Sequence, residues 1–149
     1  MPLNTALKGK EYAPISLVVE RDRVLAFADA ISEDAPVFRD AEAARAAGHD
    51  EQLAPPTFAT VLQIMASMQI VPDQELGLNY MLVVHGEQEF EWRRPIRVGD
   101  RLRAEPRIAD IYSRGPNEFL VIEASIQDEG GETVVVSRST LLSRGTAGE

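Results

Sequence analysis

Few side chains in this sequence could move a proton between carbon and oxygen. Glu33 and Asp34 are adjacent carboxylates that follow a helical stretch, and His85 lies in an extended one. A carboxylate and an imidazole are the side chains suited to general acid/base work. Glu33 and Asp34 are the candidate carboxylates for such work, and His85 is the only plausible imidazole. Each also has a plainer reading. The two carboxylates would close a helix as a polar loop. His85 alternates in step with Glu87, Glu89 and Glu91, which describes a solvated or interface face of a strand. His49 sits in a polar loop and reads as exposed. With no cysteine and two histidines, thiolate nucleophiles and disulfides are excluded and a histidine-rich metal site has little to draw on, so no metal is expected.

The elements around these residues can be read from periodicity. Ile15 to Val19 is rich in branched residues and reads as a strand. Val24, Leu25, Phe27, Ala28 and Ile31 then form the apolar stripe of a helix, which Ser32-Glu33-Asp34-Ala35-Pro36 ends. A short alanine-rich helix follows, capped by Asp40 and stopped near Gly48, and His49 to Ala54 reads as a loop. Pro55-Pro56-Thr57 opens a longer helix that has no charged residue between Phe58 and Ile70, so burial on nearly all sides is expected, with Met65 and Met68 in the core. Tyr80 to Trp92 alternates as a strand, with Val84, Gly86, Gln88, Phe90 and Trp92 on one face. Gln88 is a polar residue on that apolar face and needs a partner, which makes it a candidate substrate contact. Three more strands are expected over Arg101–Tyr112, Glu118–Asp128 and Glu132–Leu142, the last two joined by an Asp128-Glu129-Gly130-Gly131 turn. Arg93, Arg94 and Arg97 sit in the turn beside Pro95, where they would grip a cofactor phosphate or pair with carboxylates. Pairing is the simpler reading. One helix and a run of antiparallel strands make an α+β domain, a curved sheet wrapped around the helix.

Composition narrows the function classes. The 149 residues fit one domain, with an ordered core from about Gly9 to Arg144, and 44% hydrophobic content supplies a core without staples. Acidic residues outnumber basic ones 24 to 15, for a net charge of −9, which repels phosphate backbones and argues against a nucleic-acid partner. No apolar run approaches the ~18 residues a membrane span needs. The segment Met1–Lys10 has no apolar signal core, so a cytoplasmic protein is expected.

Three segments, Phe27–Asp40, Leu53–Phe58 and His85–Asp100, resemble in order and spacing the MaoC-like dehydratase family, in the N-terminal-domain branch that includes subunits of mycobacterial-type (3R)-hydroxyacyl-ACP dehydratases. The likeness runs over nearly the whole chain. It implies a hot-dog fold, with the sheet around the Thr57–Gln69 helix, and a dimer with the acyl-thioester site near the subunit interface. It also implies dehydration of a 3-hydroxyacyl thioester or hydration of a trans-2-enoyl thioester. The substrate would be an ester of CoA or ACP, with no other cofactor.

Active members of that family carry an aspartate and, five residues later, a histidine in a Gly-Asp-x-Asn-Pro-x-His-like stretch. Here Ser32 stands at the glycine, Glu33 at the aspartate, Ala35 at the asparagine, Pro36 at the proline and Phe38 at the histidine. Phenylalanine cannot transfer a proton. Pro55-Pro56 replaces the His-Gly pair at the start of the central helix and, lacking an N–H, leaves Thr57 or Phe58 to supply the donors at the thioester carbonyl. The resemblance thus implies either an enzyme using Glu33 with Thr57 or Phe58, or an acyl-binding subunit. In such a subunit Phe38 packs in the core or against the acyl chain, while a paralogous partner brings the Asp/His pair. Homodimer and heterodimer both stay open. The alternative from another class is a non-catalytic acyl-thioester-binding or structural hot-dog protein. A hot-dog thioesterase fares worse, because the central helix offers the amides Gln63 and Gln69 but no carboxylate.

Overall fold

The computed structural model describes residues 2–148. Five strands, β1 (Ile15–Val18), β2 (Val83–Trp92), β3 (Arg101–Arg114), β4 (Asn117–Gln127) and β5 (Thr133–Ser143), form one antiparallel sheet in the order β1-β3-β4-β5-β2. Three helices accompany it: α1 (Arg21–Ala30), α2 (Ala41–Ala46) and α3 (Thr60–Ile70). The α+β hot-dog architecture expected from the sequence is present, with the sheet curled around α3.

Strand alternation explains why the sheet holds the helix. In β4 every second residue, from Leu120 through Ile122 and Ala124 to Ile126, is fully buried and faces α3. Leu62 and Ala66 of α3 belong to a core with Phe58, Leu102, Ala104, Ala124 and Ile126. One turn farther on, Ile70 enters a second core with Leu76, Ile108, Ile111, Leu120 and Ile122. The helix therefore bridges both cores. Phe27 of α1 meets Phe58 edge to face, with ring centres 5.5 Å apart, which docks α1 at the head of α3. The β4–β5 hairpin turns where expected: Gly131 N–H donates to the Asp128 carbonyl, and the Asp128 carboxylate receives the Gly130 and Glu132 N–H groups.

Two charged latches hold the periphery. Lys10 Nζ and Tyr12 Oη both donate to the same oxygen of Asp73, each at 2.7 Å, and tie the N-terminal arm to the segment after α3. The hydrogen bond from Lys10, then that from Tyr12, holds the Asp73 carboxyl below its ordinary range, whereas burial and the bond to Asp73 push the Tyr12 phenol up to about 12. Across the opposite face of the sheet, Glu123 receives Arg107 Nε at 2.9 Å and Arg138 Nε at 2.7 Å. Burial pushes the Glu123 carboxyl up, but the two guanidinium groups outweigh it and the net displacement is downward.

Several local readings need correction. The longer helix does not begin at Thr57. Pro56–Ala59 is a single 3-10 turn and the α-helix starts at Thr60, because neither proline has an N–H to donate and the first bond closes from Phe58 to Pro55. Tyr80–Leu82 is likewise a 3-10 turn, capped by the Asn79 side chain, so the strand begins at Val83. The charge-free helix is not buried all round, since Ile64 is 55% and Met68 70% exposed. Met68 is a surface residue, not a core one. Residues 49–54 are less of a loop than their polarity suggested. Gln52, Leu53 and Ala54 are buried, and their backbones bond to Val37, Ile96 and Val98.

The strand faces also differ. Pairing with β5 aligns His85 with Leu141 and then Glu87 with Thr140, so Gly86 is an extra residue in a β-bulge. A bulge reverses the alternation beyond it. His85 therefore shares its face with Gln88, not with Glu87, Glu89 and Glu91. A β-carbon on Gly86 would lie 3.3 Å from the Thr140 carbonyl oxygen, close enough to favour glycine there.

Candidate ligand site at the two ends of the central helix

The segment with the adjacent carboxylates is a tightly bonded turn. Helix α1 ends at Ile31, and Ser32 takes a left-handed conformation, with φ +57°, that lets Glu33 N–H return to the Ala28 carbonyl at 2.8 Å. This is the backbone state glycine adopts without penalty, and it lies where the resemblance places a glycine. The Glu33 carboxylate then accepts the Ala35 N–H at 3.1 Å. Arg39 reaches back to donate from Nε and Nη2 to the Glu33 carbonyl, at 2.9 and 2.6 Å, and from Nη1 to Asp29 at 2.8 Å. Glu33 is half-buried and already engaged by the turn, while Asp34 is exposed.

Beyond this turn the 3-10 segment Pro36–Phe38 brings Phe38 to a cavity of about 490 Å³ lined also by Leu53, Ala54, Pro56, Trp92 and Ile96. Gln52 Nε2 holds the Phe38 carbonyl at 2.8 Å, and Trp92 Nε1 donates to the Pro56 carbonyl at 3.0 Å. The walls are mainly apolar, and Arg93, Arg94 and Pro95 complete the lining. Phe58 is fully buried, and its N–H donates to the Pro55 carbonyl at 2.8 Å. Thr57 is exposed beside it. Arg94 pairs with both oxygens of Asp100, at 2.8 and 3.2 Å, and with Asp128 at 3.5 Å; Arg93 pairs with Glu91 and Arg97 with Asp50. The arginines thus meet carboxylates, and the pair with Asp100 holds the Arg94 guanidinium above its ordinary range.

The second cavity runs along α3 from Thr60 to Met68 and on to Val71 and Pro72. It has a volume of about 730 Å³, within the range of small-molecule sites, between Gln63, Ile64 and Met68 of α3, Tyr80, and His85 and Gln88 of β2. The bulge at Gly86 is what turns His85 into it. Gln88 Nε2 donates to the buried Ser137 hydroxyl at 2.9 Å, which supplies the partner that a polar residue on this face requires. The exposed Ile64, Met68 and Tyr80 give the groove an apolar rim. Among the described residues no three His, Asp or Glu side chains cluster as metal ligands would, and no helix is long and apolar enough to cross a membrane.

The structure therefore separates the sequence candidates. Phe38 lines the cavity at the head of α3, and His85 and Gln88 line the groove along it. Glu33, Asp34, Thr57 and Phe58 line neither. Gln63 was read from the sequence only as an amide where a thioesterase would want a carboxylate. Its place in the groove follows from the helical spacing that puts Thr60, Gln63, Ile64 and Ser67 on adjoining faces of α3.

Comparison with known proteins agrees with this fold. A family model described as "FAS1-like, dehydratase domain region" matches residues 6–137. A UPF0336 protein of Saccharopolyspora erythraea is 47% identical over 148 residues, covering 99% of this chain and 95% of its own length. Among solved structures, the C-terminally truncated HadBC (3R-hydroxyacyl-ACP dehydratase) complex from Mycobacterium tuberculosis superposes with a TM-score of 0.81 at 28% identity, over 91% of this chain and 96% of that one. A MaoC-like dehydratase reaches a TM-score of 0.86 at 24% identity, over 93% of this chain and 42% of that one, a likeness of fold.

Proposed function

Because the chain belongs to the MaoC-like, FAS1-like dehydratase-region family of hot-dog proteins, we propose that it is the acyl-binding subunit of a cytoplasmic (3R)-hydroxyacyl-thioester dehydratase or trans-2-enoyl-thioester hydratase. Its substrate would be an ester of CoA or ACP. A paralogous hot-dog partner would complete a heterodimer and supply the carboxylate and imidazole that exchange protons with the α carbon and the hydroxyl.

The observation that carries this reading is Phe38. By the resemblance it stands where active members carry a histidine, and it lines a mainly apolar cavity with Leu53, Ala54, Pro56, Trp92 and Ile96, beside Arg93 and Arg94. Glu33 is correspondingly held by its own turn and by Arg39. What the chain keeps is room for a chain-like ligand. The α3–β2 groove offers apolar walls with a few polar groups, the usual composition of a site that binds hydrocarbon and orients it.

The test is hydration of a short and a long trans-2-enoyl-CoA by the purified chain, alone and with candidate hot-dog partners. No turnover alone, with turnover restored by a partner that carries an Asp/His pair, supports the reading. Turnover by the chain alone that Glu33→Gln abolishes overturns it in favour of a self-sufficient enzyme. Acyl-CoA binding with no turnover under any pairing would leave a binding protein instead.

A further inference from the structure

Two buried side-chain polar atoms have no hydrogen-bond partner among the described residues, the amide oxygens of Gln52 and Gln63. Gln52 already fastens the Phe38 carbonyl through its Nε2 and lines neither cavity. Gln63 is placed differently. It is 2% exposed, lies between Leu62 and Ile64 on α3, and lines the 730 Å³ groove. Its Nε2 faces the Ile122 carbonyl of β4 at 3.4 Å, a long and weak bond. Turning the amide over would set its oxygen against that carbonyl, two acceptors facing each other, so the orientation is fixed and the oxygen is the atom left over. A buried acceptor without a donor is costly, and a native structure that keeps one calls for a donor from elsewhere.

We propose that Gln63 is a specificity-determining residue whose amide oxygen accepts a hydrogen bond from a hydroxyl carried within the bound acyl chain. The proposal rests on the groove being the acyl site. Gln63 stands within a groove that runs along α3 from Thr60 to Pro72, so the hydroxyl it meets lies along the bound chain. The groove then favours chains hydroxylated in their middle over plain saturated chains of equal length. Apolar contact with Ile64, Met68 and Tyr80 holds both kinds of chain, and only the hydroxylated one satisfies the buried oxygen.

Calorimetric titration of the full chain with dodecanoyl-CoA and with a mid-chain hydroxydodecanoyl-CoA tests this without any variant. The expected result is tighter binding of the hydroxylated ester by about tenfold, the worth of one recovered hydrogen bond. Gln63→Met, close in length and shape but without the strong acceptor, is expected to bind both esters alike. Equal binding by the unaltered chain means that solvent supplies the donor and overturns the proposal, while the acyl-site reading stands. A preference that survives Gln63→Met removes Gln63 from the role. Failure of both esters to bind overturns the acyl-site reading and this proposal together.

Discussion

The two ends of α3 differ in how completely their polar groups are used. At the head, the Glu33 carboxylate, the Glu33 carbonyl, the Phe58 N–H and the Trp92 indole N–H all have partners within the chain. Phe38 stands where an imidazole would act. Along the groove the reverse holds. Gln63 keeps an unpaired oxygen, His85 is exposed to the cavity, and Ile64, Met68 and Tyr80 present apolar surface. Each region keeps one buried amide oxygen without a partner, Gln52 at the head and Gln63 along the groove, but only Gln63 lines a cavity. The proposed acyl-binding role draws on the groove and not on the head.

The contrast is sharpened most strongly at Phe58. Phe58→Ala removes a fully buried ring that joins α1 to the head of α3, and a loss of about 3–5 kcal/mol in denaturant unfolding is expected. Arg39→Ala releases the Glu33 carbonyl from its two donors and should cost about 2 kcal/mol by the same measurement. Most of that comes from the clamp, since the exposed pair with Asp29 contributes little. Ser32→Gly works in the opposite direction. It removes the side chain from a left-handed residue and should stabilise the protein by about 1 kcal/mol. If the head is purely structural, none of these should alter acyl-CoA binding by the folded protein. A variant that folds well and loses ligand would break the comparison.

The latches outside both regions set the pH range. Asp73 and Glu123 have folded-state values below those of the unfolded chain, so their contribution is present at neutral pH and disappears as pH falls below about 4, through their folded values. Tyr12 is raised to about 12, so the protonated phenol stabilises the fold up to its ordinary value near 10, and this is lost as pH climbs toward 12. Ultraviolet titration of the native protein against Tyr12→Phe should show one phenol ionising later than a free tyrosine. A Tyr12 phenol that titrates at the free value would show that the latch to Asp73 is open in solution.

Much of this was legible in the residues, for reasons that also explain the exceptions. Alternation in β4 is unbroken, so its inward face could be read residue by residue. In β2 the alternation is broken by Gly86, and a single inserted residue moves His85 to the other face. The glycine was visible, but the bulge depends on pairing with β5, which is a long-range contact. The charge-free stretch from Phe58 to Ile70 announced a central helix, yet apolar composition does not distinguish a face covered by the sheet from one left open beside β2. The packing around Phe38 by Leu53 and Ala54 was not legible, because it depended on a segment whose polarity suggested a loop. The orphaned oxygen of Gln63 had no signature in the sequence, since it exists only where α3 meets Ile122.

The most direct measurement is α-deuterium incorporation into a saturated acyl-CoA held by the purified chain in deuterated buffer, with binding followed on the same sample. Exchange at the α carbon reports proton transfer whether or not hydration is completed. The account predicts saturable binding with no exchange above that of buffer. It also predicts exchange once a partner bearing a carboxylate and an imidazole is added. Exchange catalysed by this chain alone, and abolished in Glu33→Gln, would contradict it.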